Sequence, residues 1–169
     1  MKLFHGTSYE LGNKILKQGI IKKSQPAFDI FTDSNYVYLT NRITVAMKYG
    51  RNKAIFKEPE ETQFYLFEIE LNKNLLLVDL DEVAIFKDGF MDQKEAIEKL
   101  NGNYTVENTI PLFHSVRVNF DIALHNYTGR YSIISISDLT EELTEDIFDM
   151  NLTDQELQKI YDSITWNSI

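Results

Sequence analysis

The chain of 169 residues contains no cysteine, which excludes disulfide staples and thiol nucleophiles and fits a reducing compartment. It has three histidines, none within an HExxH pattern. His114 and His125, with Asp121 nearby, therefore read as turn residues rather than a metal site, and no metal is expected. The seven glycines form neither GxGxxG nor GxxxxGK, and no GxSxG is present. These absences remove the dinucleotide-cradling turn, the phosphate loop and the serine-hydrolase elbow. No run approaches the ~18 apolar residues of a membrane span. The opening MKLFHGTS lacks the apolar core of roughly 7–15 residues that a secretory leader needs. The expectation is a cytoplasmic protein without a membrane partner. Basic residues are also few, 17 against 26 acidic, for a net charge of −9. A field of that sign repels phosphate backbones, so a nucleic-acid partner is not expected. A local basic cleft stays open, since Lys48, Arg51, Lys53 and Lys57 lie close in sequence and Arg117 and Arg130 fall in a segment poor in acids.

What is present suits one domain. Hydrophobic residues make up 43% of the chain, and a chain of this length hides roughly two-thirds of its unfolded surface. Lys2 to His5 reads as a strand. Thr7 or Ser8 caps a helix through Gln18, stopped by Gly19. Ser24 to Asn35 reads as a loop, and Tyr36 to Thr40 as a strand. Asn41 is expected to cap a second helix, ended by Gly50. Lys57 to Thr62 reads as a charged loop and Phe64 to Leu71 as an alternating strand. Leu75 to Val78 is a short apolar run, followed by an acidic turn from Asp79 to Glu82. Asp92 to Leu100 reads as a helix; Ser115 to Phe120 and Tyr131 to Ile136 read as strands around the HNYTG turn. Thr140 and Thr153 open two short helices, the second with capping-box spacing to Glu156. The expected class is α+β, with a largely antiparallel sheet, short flanking helices and a helical acidic C-terminal tail.

Three segments attract chemical interest. His5 stands at a strand end before Gly6, where an imidazole is presented and the backbone admits close approach. Tyr38 would end a strand and Tyr49 would close the next helix. Each alone is as readily a structural residue. Together, the two tyrosines could form a slot for a flat, cationic heterocycle, with each ring contributing on the order of 1 kcal/mol.

HGT at residues 5–7, VYLT at 37–40 and the alanine–tyrosine pair Ala46 and Tyr49 together resemble the ADP-ribosyltransferases of the diphtheria-toxin and poly(ADP-ribose) polymerase type. The resemblance covers residues 1 to 80, and 110 to 138 by strand pattern. It implies the split, mostly antiparallel sheet of that fold over residues 1–138, with residues 139–169 an acidic helical extension packed on the same domain. It further implies a mono-ADP-ribosyltransferase of bacterial or phage type, using NAD and modifying a protein or small-molecule acceptor. His5 and Tyr38 would be catalytic, His5 through the nicotinamide-side ribose hydroxyls. Gly6 would bond the carboxamide, and Tyr38 and Tyr49 would sandwich the ring. Thr7, Thr40, Arg51, Arg117 and Arg130 complete the expected NAD-binding set, with Arg117 or Arg130 on the diphosphate. Ala46 replaces a serine common in the family, a loss of about 1 kcal/mol of binding. The family's third-strand glutamate has no match. Arg130 falls at its place, with Asn126, His125, Asp138 and Glu107 as alternatives.

Two other readings remain. Tyr49-Gly50-Arg51 is similar to a turn of the tRNA 2′-phosphotransferases, in which His5, Arg51 and Arg117 or Arg130 would clamp phosphates. The missing glutamate and the acidic run from Asp138 to Asp162 also suit a non-catalytic scaffold that captures a basic protein partner, although a solvated helical face needs such charge too.

Overall fold

The computed structural model describes residues 1–23, 32–57, 61–89, 94–149 and 151–169. Residues 24–31 of the expected loop, residues 58–60 of the charged loop, and residues 92–93 at the start of the expected helix lie outside them. The elements are β1 (Lys2–Ser8), α1 (Tyr9–Gln18), β2 (Ile20–Ile21), β3 (Val37–Thr40), α2 (Ile43–Lys57), β4 (Gln63–Glu70), β5 (Leu77–Val78), α3 (Leu80–Lys87), α4 (Lys94–Lys99), α5 (Val106–Phe113), β6 (Ser115–Val118), β7 (Ile122–Ala123), β8 (Gly129–Ser135), α6 (Glu141–Asp146), α7 (Asp154–Ser163) and β9 (Asn167–Ser168). The architecture is α+β, with a seven-stranded sheet in the order β5-β6-β3-β1-β4-β8-β9 and a small β2–β7 pair. Every neighbouring pair in the large sheet is antiparallel.

Alternation along the strands separates two cores. Leu3, Phe67 and Ile69 face one cluster with Ile15 of α1. Phe4, Phe64 and Leu66 face the other, under Ala46, Met47 and Ala54 of α2, and Ile147 and Ile160 of the C-terminal segment cover this second cluster. The acidic tail is therefore amphipathic and packed on the domain, with its charge outward. A third cluster ties α3, α4 and α5 together through Val83, Phe86, Ile97 and Phe113.

Helix ends show where local chemistry prevailed. Gly19 adopts φ 68° and its N–H reaches Ile15 O at 2.7 Å, as the sequence implied. Thr153 and Glu156 form the full capping box. Gly50, by contrast, does not end α2, which continues to Lys57. Its missing side chain serves a contact instead, because a Cβ there would lie 2.6 Å from the Phe64 ring and 3.2 Å from Thr7 N. Nor does Asn41 cap α2: the Thr40 hydroxyl accepts from Arg42 N at 3.0 Å in that turn. The acidic segment read as a turn is the N-cap and first turn of α3, with Asp79 accepting from Asp81 N and Glu82 N. α5, with Pro111 inside it, was not expected from the sequence.

Pairing along β1 is uneven. All seven of its residues are in register with β4, from Lys2↔Glu70 to Ser8↔Phe64. On its other side only Phe4↔Thr40 joins it to β3. Beyond that single pair the two central strands diverge, and the space between them opens the site.

Candidate functional site

His5 stands where β1 and β3 separate. Its Nδ1 lies 3.0 Å from the Tyr38 carbonyl oxygen. A carbonyl only accepts, so Nδ1 carries the hydrogen and Nε2 is left with its lone pair. Desolvation, reinforced by the nearby Lys53 charge, lowers the imidazole pKa to about 4. At neutral pH His5 is thus an uncharged ring whose Nε2 can accept a hydroxyl hydrogen.

A cavity of about 410 Å³ opens beside it, a size ordinary for small-molecule sites. His5, Gly6, Thr7, Tyr38, Thr40 and Tyr49 all line it. The structure therefore gathers the residues of three sequence-distant segments into one space. Ala46 lines it as well. The glycine at position 6 answers a packing demand: a Cβ there would lie 1.8 Å from Ala46 O and 2.8 Å from Gly50 N. With no side chain on Gly6, α2 lies directly on β1, and this sets Tyr49 close to the strand that carries His5.

Part of the lining is acidic, and the sequence alone assigned it no role. Asp79, Asp81 and Glu82 of the α3 start line the same cavity. The Tyr38 hydroxyl donates to Asp81 Oδ2, and the Tyr49 hydroxyl donates to Glu82 Oε1 at 2.8 Å. The two tyrosines thus end on adjacent residues of one helical turn. Burial, with these carboxylates, raises both phenol pKa values, so the hydroxyls stay protonated and donate. Asp79 holds the helix N-terminus and also accepts from Ser115 Oγ. Burial raises the pKa of Asp79 and of Glu82. Lys48 and Lys53 supply cationic lining.

The expected arginines are dispersed. Arg117 does not line the cavity; it is buried, lies 3.8 Å from the Tyr36 ring centroid and pairs with Asp81 Oδ1 at 3.3 Å. It braces the acidic wall from behind. Arg130 is engaged by Glu68, at 2.9 and 3.1 Å, and by Tyr161. Arg51 lies 6.0 Å from the Phe148 ring centroid, outside the cavity lining. β6 and β8 are four strand intervals apart in the sheet, about 19 Å at the usual spacing. The clamp of the second relative, His5 with Arg51 and Arg117 or Arg130, is not assembled in this cavity, since His5 lines it and none of the three arginines does.

The alternatives for a catalytic acid fare no better. Glu107, His125, Asn126 and Asp138 are all exposed and none lines the cavity. His114 accepts from Arg42 Nη1 at 3.1 Å, and Asp121 accepts from Lys23 N at 2.9 Å. Among the described residues, no group of three or more acidic or histidine side chains is arranged to hold a metal, and no helix is long and apolar enough to cross a membrane. A second depression, a groove of about 830 Å³, lies between β8 and the tail helices, with Asp138, Glu142, Asp146 and Glu156 among its lining.

Compared with known proteins, the chain matches no family model and no curated protein.

Proposed function

We propose that this protein is an NAD-using mono-ADP-ribosyltransferase on a split ADP-ribosyltransferase-like sheet. One observation carries the reading: His5, Tyr38 and Tyr49, from β1, β3 and α2, line a single cavity where β1 and β3 diverge. The residues suit the dinucleotide piece by piece. Tyr38 and Tyr49 line the cavity and would stack on the pyridinium, and the carboxylates on their hydroxyls make that end of the cavity favourable to a cation. His5 Nε2 is an acceptor for a ribose hydroxyl. Lys48 and Lys53, rather than the arginines, bring positive charge to the cavity lining near Tyr49 and would take the diphosphate. The reaction is displacement of nicotinamide from its ribose carbon by a protein or small-molecule acceptor, through a cationic, oxocarbenium-like transition state.

Single-turnover release of nicotinamide tests this. Wild type should release it from NAD⁺, and His5→Ala should do so at least ~10-fold more slowly, the usual minimum for losing a positioned hydrogen-bonding group. Equal rates in the two proteins would remove His5 from the site.

A second reading rests on the groove beside the tail. Its lining combines Met47, Ile134 and Leu143 with four carboxylates, Asp138, Glu142, Asp146 and Glu156, against one cation, Lys159. A basic, partly apolar protein segment matches that chemistry, with or without catalysis in the cavity.

A further inference from the structure

The family resembled by this sequence places its carboxylate on a third strand, where this chain has Arg130 bound to Glu68. We propose that Glu82, in the first turn of α3, is the catalytic carboxylate of this protein, so that its acid comes from a helix rather than from the sheet. The inference rests on the transferase reading given above.

The assignment follows from how the carboxylates of the acidic lining are committed. Asp79 accepts from two backbone N–H groups of its own helix and from Ser115. Asp81 accepts from Tyr38, from Asp33 N at 3.1 Å and from Arg117 at 3.3 Å. Both are held by structure, and Arg117 offsets the Asp81 charge. Glu82 differs: one oxygen accepts from Tyr49 at 2.8 Å, while the other accepts no hydrogen bond among the described residues. A carboxylate oxygen has room for two acceptor contacts. Glu82 thus combines a half-buried carboxylate, a fixed orientation and a vacant acceptor atom, and it lines the cavity that His5 and both tyrosines line. The Tyr49 bond sets the group beside the ring that would hold the pyridinium. The acid and the leaving heterocycle would therefore be neighbours.

The step balances without a further reagent. The bond between the nicotinamide nitrogen and the ribose carbon breaks, and its electron pair leaves on nicotinamide, which becomes neutral. A lone pair of the acceptor, or of water, forms the new bond to that carbon, and the acceptor's proton passes to solvent. Glu82 accepts a hydrogen bond from a ribose hydroxyl, and its charge opposes the positive charge that grows on the sugar. A preorganised anion of this kind typically changes rates by about 10² to 10³.

The test compares wild type, Glu82→Gln, Glu82→Asp and Glu107→Gln with NAD⁺ as the probe, reading affinity by calorimetry and nicotinamide release by chromatography. Glu107 is exposed on α5 and should leave both readouts at wild-type values. Glu82→Gln keeps the volume and an oxygen for Tyr49, and should bind NAD⁺ within about threefold of wild type yet release nicotinamide at least ~100-fold more slowly. Glu82→Asp retains the charge but withdraws it by one methylene, and should release nicotinamide at least ~10-fold more slowly than wild type; it carries the test if Glu82→Gln melts early. Release by Glu82→Gln, or by Glu82→Asp in its place, within about threefold of wild type would overturn the assignment and leave the transferase reading standing. Wild type that neither binds NAD⁺ nor releases nicotinamide would overturn both.

Discussion

A methyl group on Gly6 would be built 1.8 Å from a backbone oxygen of α2. Backbone cannot rotate aside as a side chain can, so Gly6→Ala should push α2 away from β1. Overpacking of a well-filled contact costs about 1–3 kcal/mol, and the upper end is expected here because two backbone segments oppose each other. Denaturant melting should show that loss, with NAD⁺ binding weakened because Tyr49 moves with the helix. A variant as stable as wild type would mean that the β1–α2 contact is looser than described. Residues of this kind were partly legible in the sequence. HGT, VYLT and Tyr49 announced themselves by type, and they do line one cavity. The glycine's reason was not legible, because it depends on a helix remote from it in sequence. Nor was the acidic wall: Asp79, Asp81 and Glu82 look in sequence like a solvated turn, and only the fold brings tyrosine hydroxyls to two of them.

Elements with strong local signals formed where the sequence placed them. β4 alternates between the two cores, and α7 has its capping box. Elements governed by distant contacts did not read locally. Gly50 sits inside α2 because Phe64 presses on it, and β2, β7 and β9 are two-residue strands with too little pattern to detect. The tail belongs to both classes. Its helices were legible from their caps, but its role in covering Phe4 and Phe64 was not. Deleting it would therefore open a core rather than strip a surface. The groove is better tested by charge: Glu142→Lys with Asp146→Lys should leave the melting temperature within a few degrees and abolish binding of a basic amphipathic peptide. Unchanged peptide binding would assign the acidic face to solvation alone.

On the scale of the whole molecule, buried imidazoles couple folding to pH. His5, held at about 4 against an ordinary 6.5, is protonated in the unfolded chain and neutral in the folded one between those values. The unfolded state then binds more protons, so this residue's share of stability falls as pH drops from 6.5 to 4, at most about 1.4 kcal/mol per pH unit. Asp79 and Glu82, raised by burial, act in the opposite sense, their contribution fading as pH rises through their folded values. A comparison isolates the histidine: His5→Gln should gain on wild type as the solution is acidified across that window. Parallel curves would place His5 in water.

The proposed activity requires that the space between β1 and β3 receive NAD⁺. Calorimetric titration of the folded protein with NAD⁺, beside Tyr38→Ala, tests this most directly. Saturable one-to-one binding that weakens at least ~10-fold in Tyr38→Ala is the result predicted, since the variant removes a stacking ring face together with a cavity wall. No binding by wild type, or equal binding by both proteins, would contradict the assignment of this cavity to the nicotinamide end of the dinucleotide.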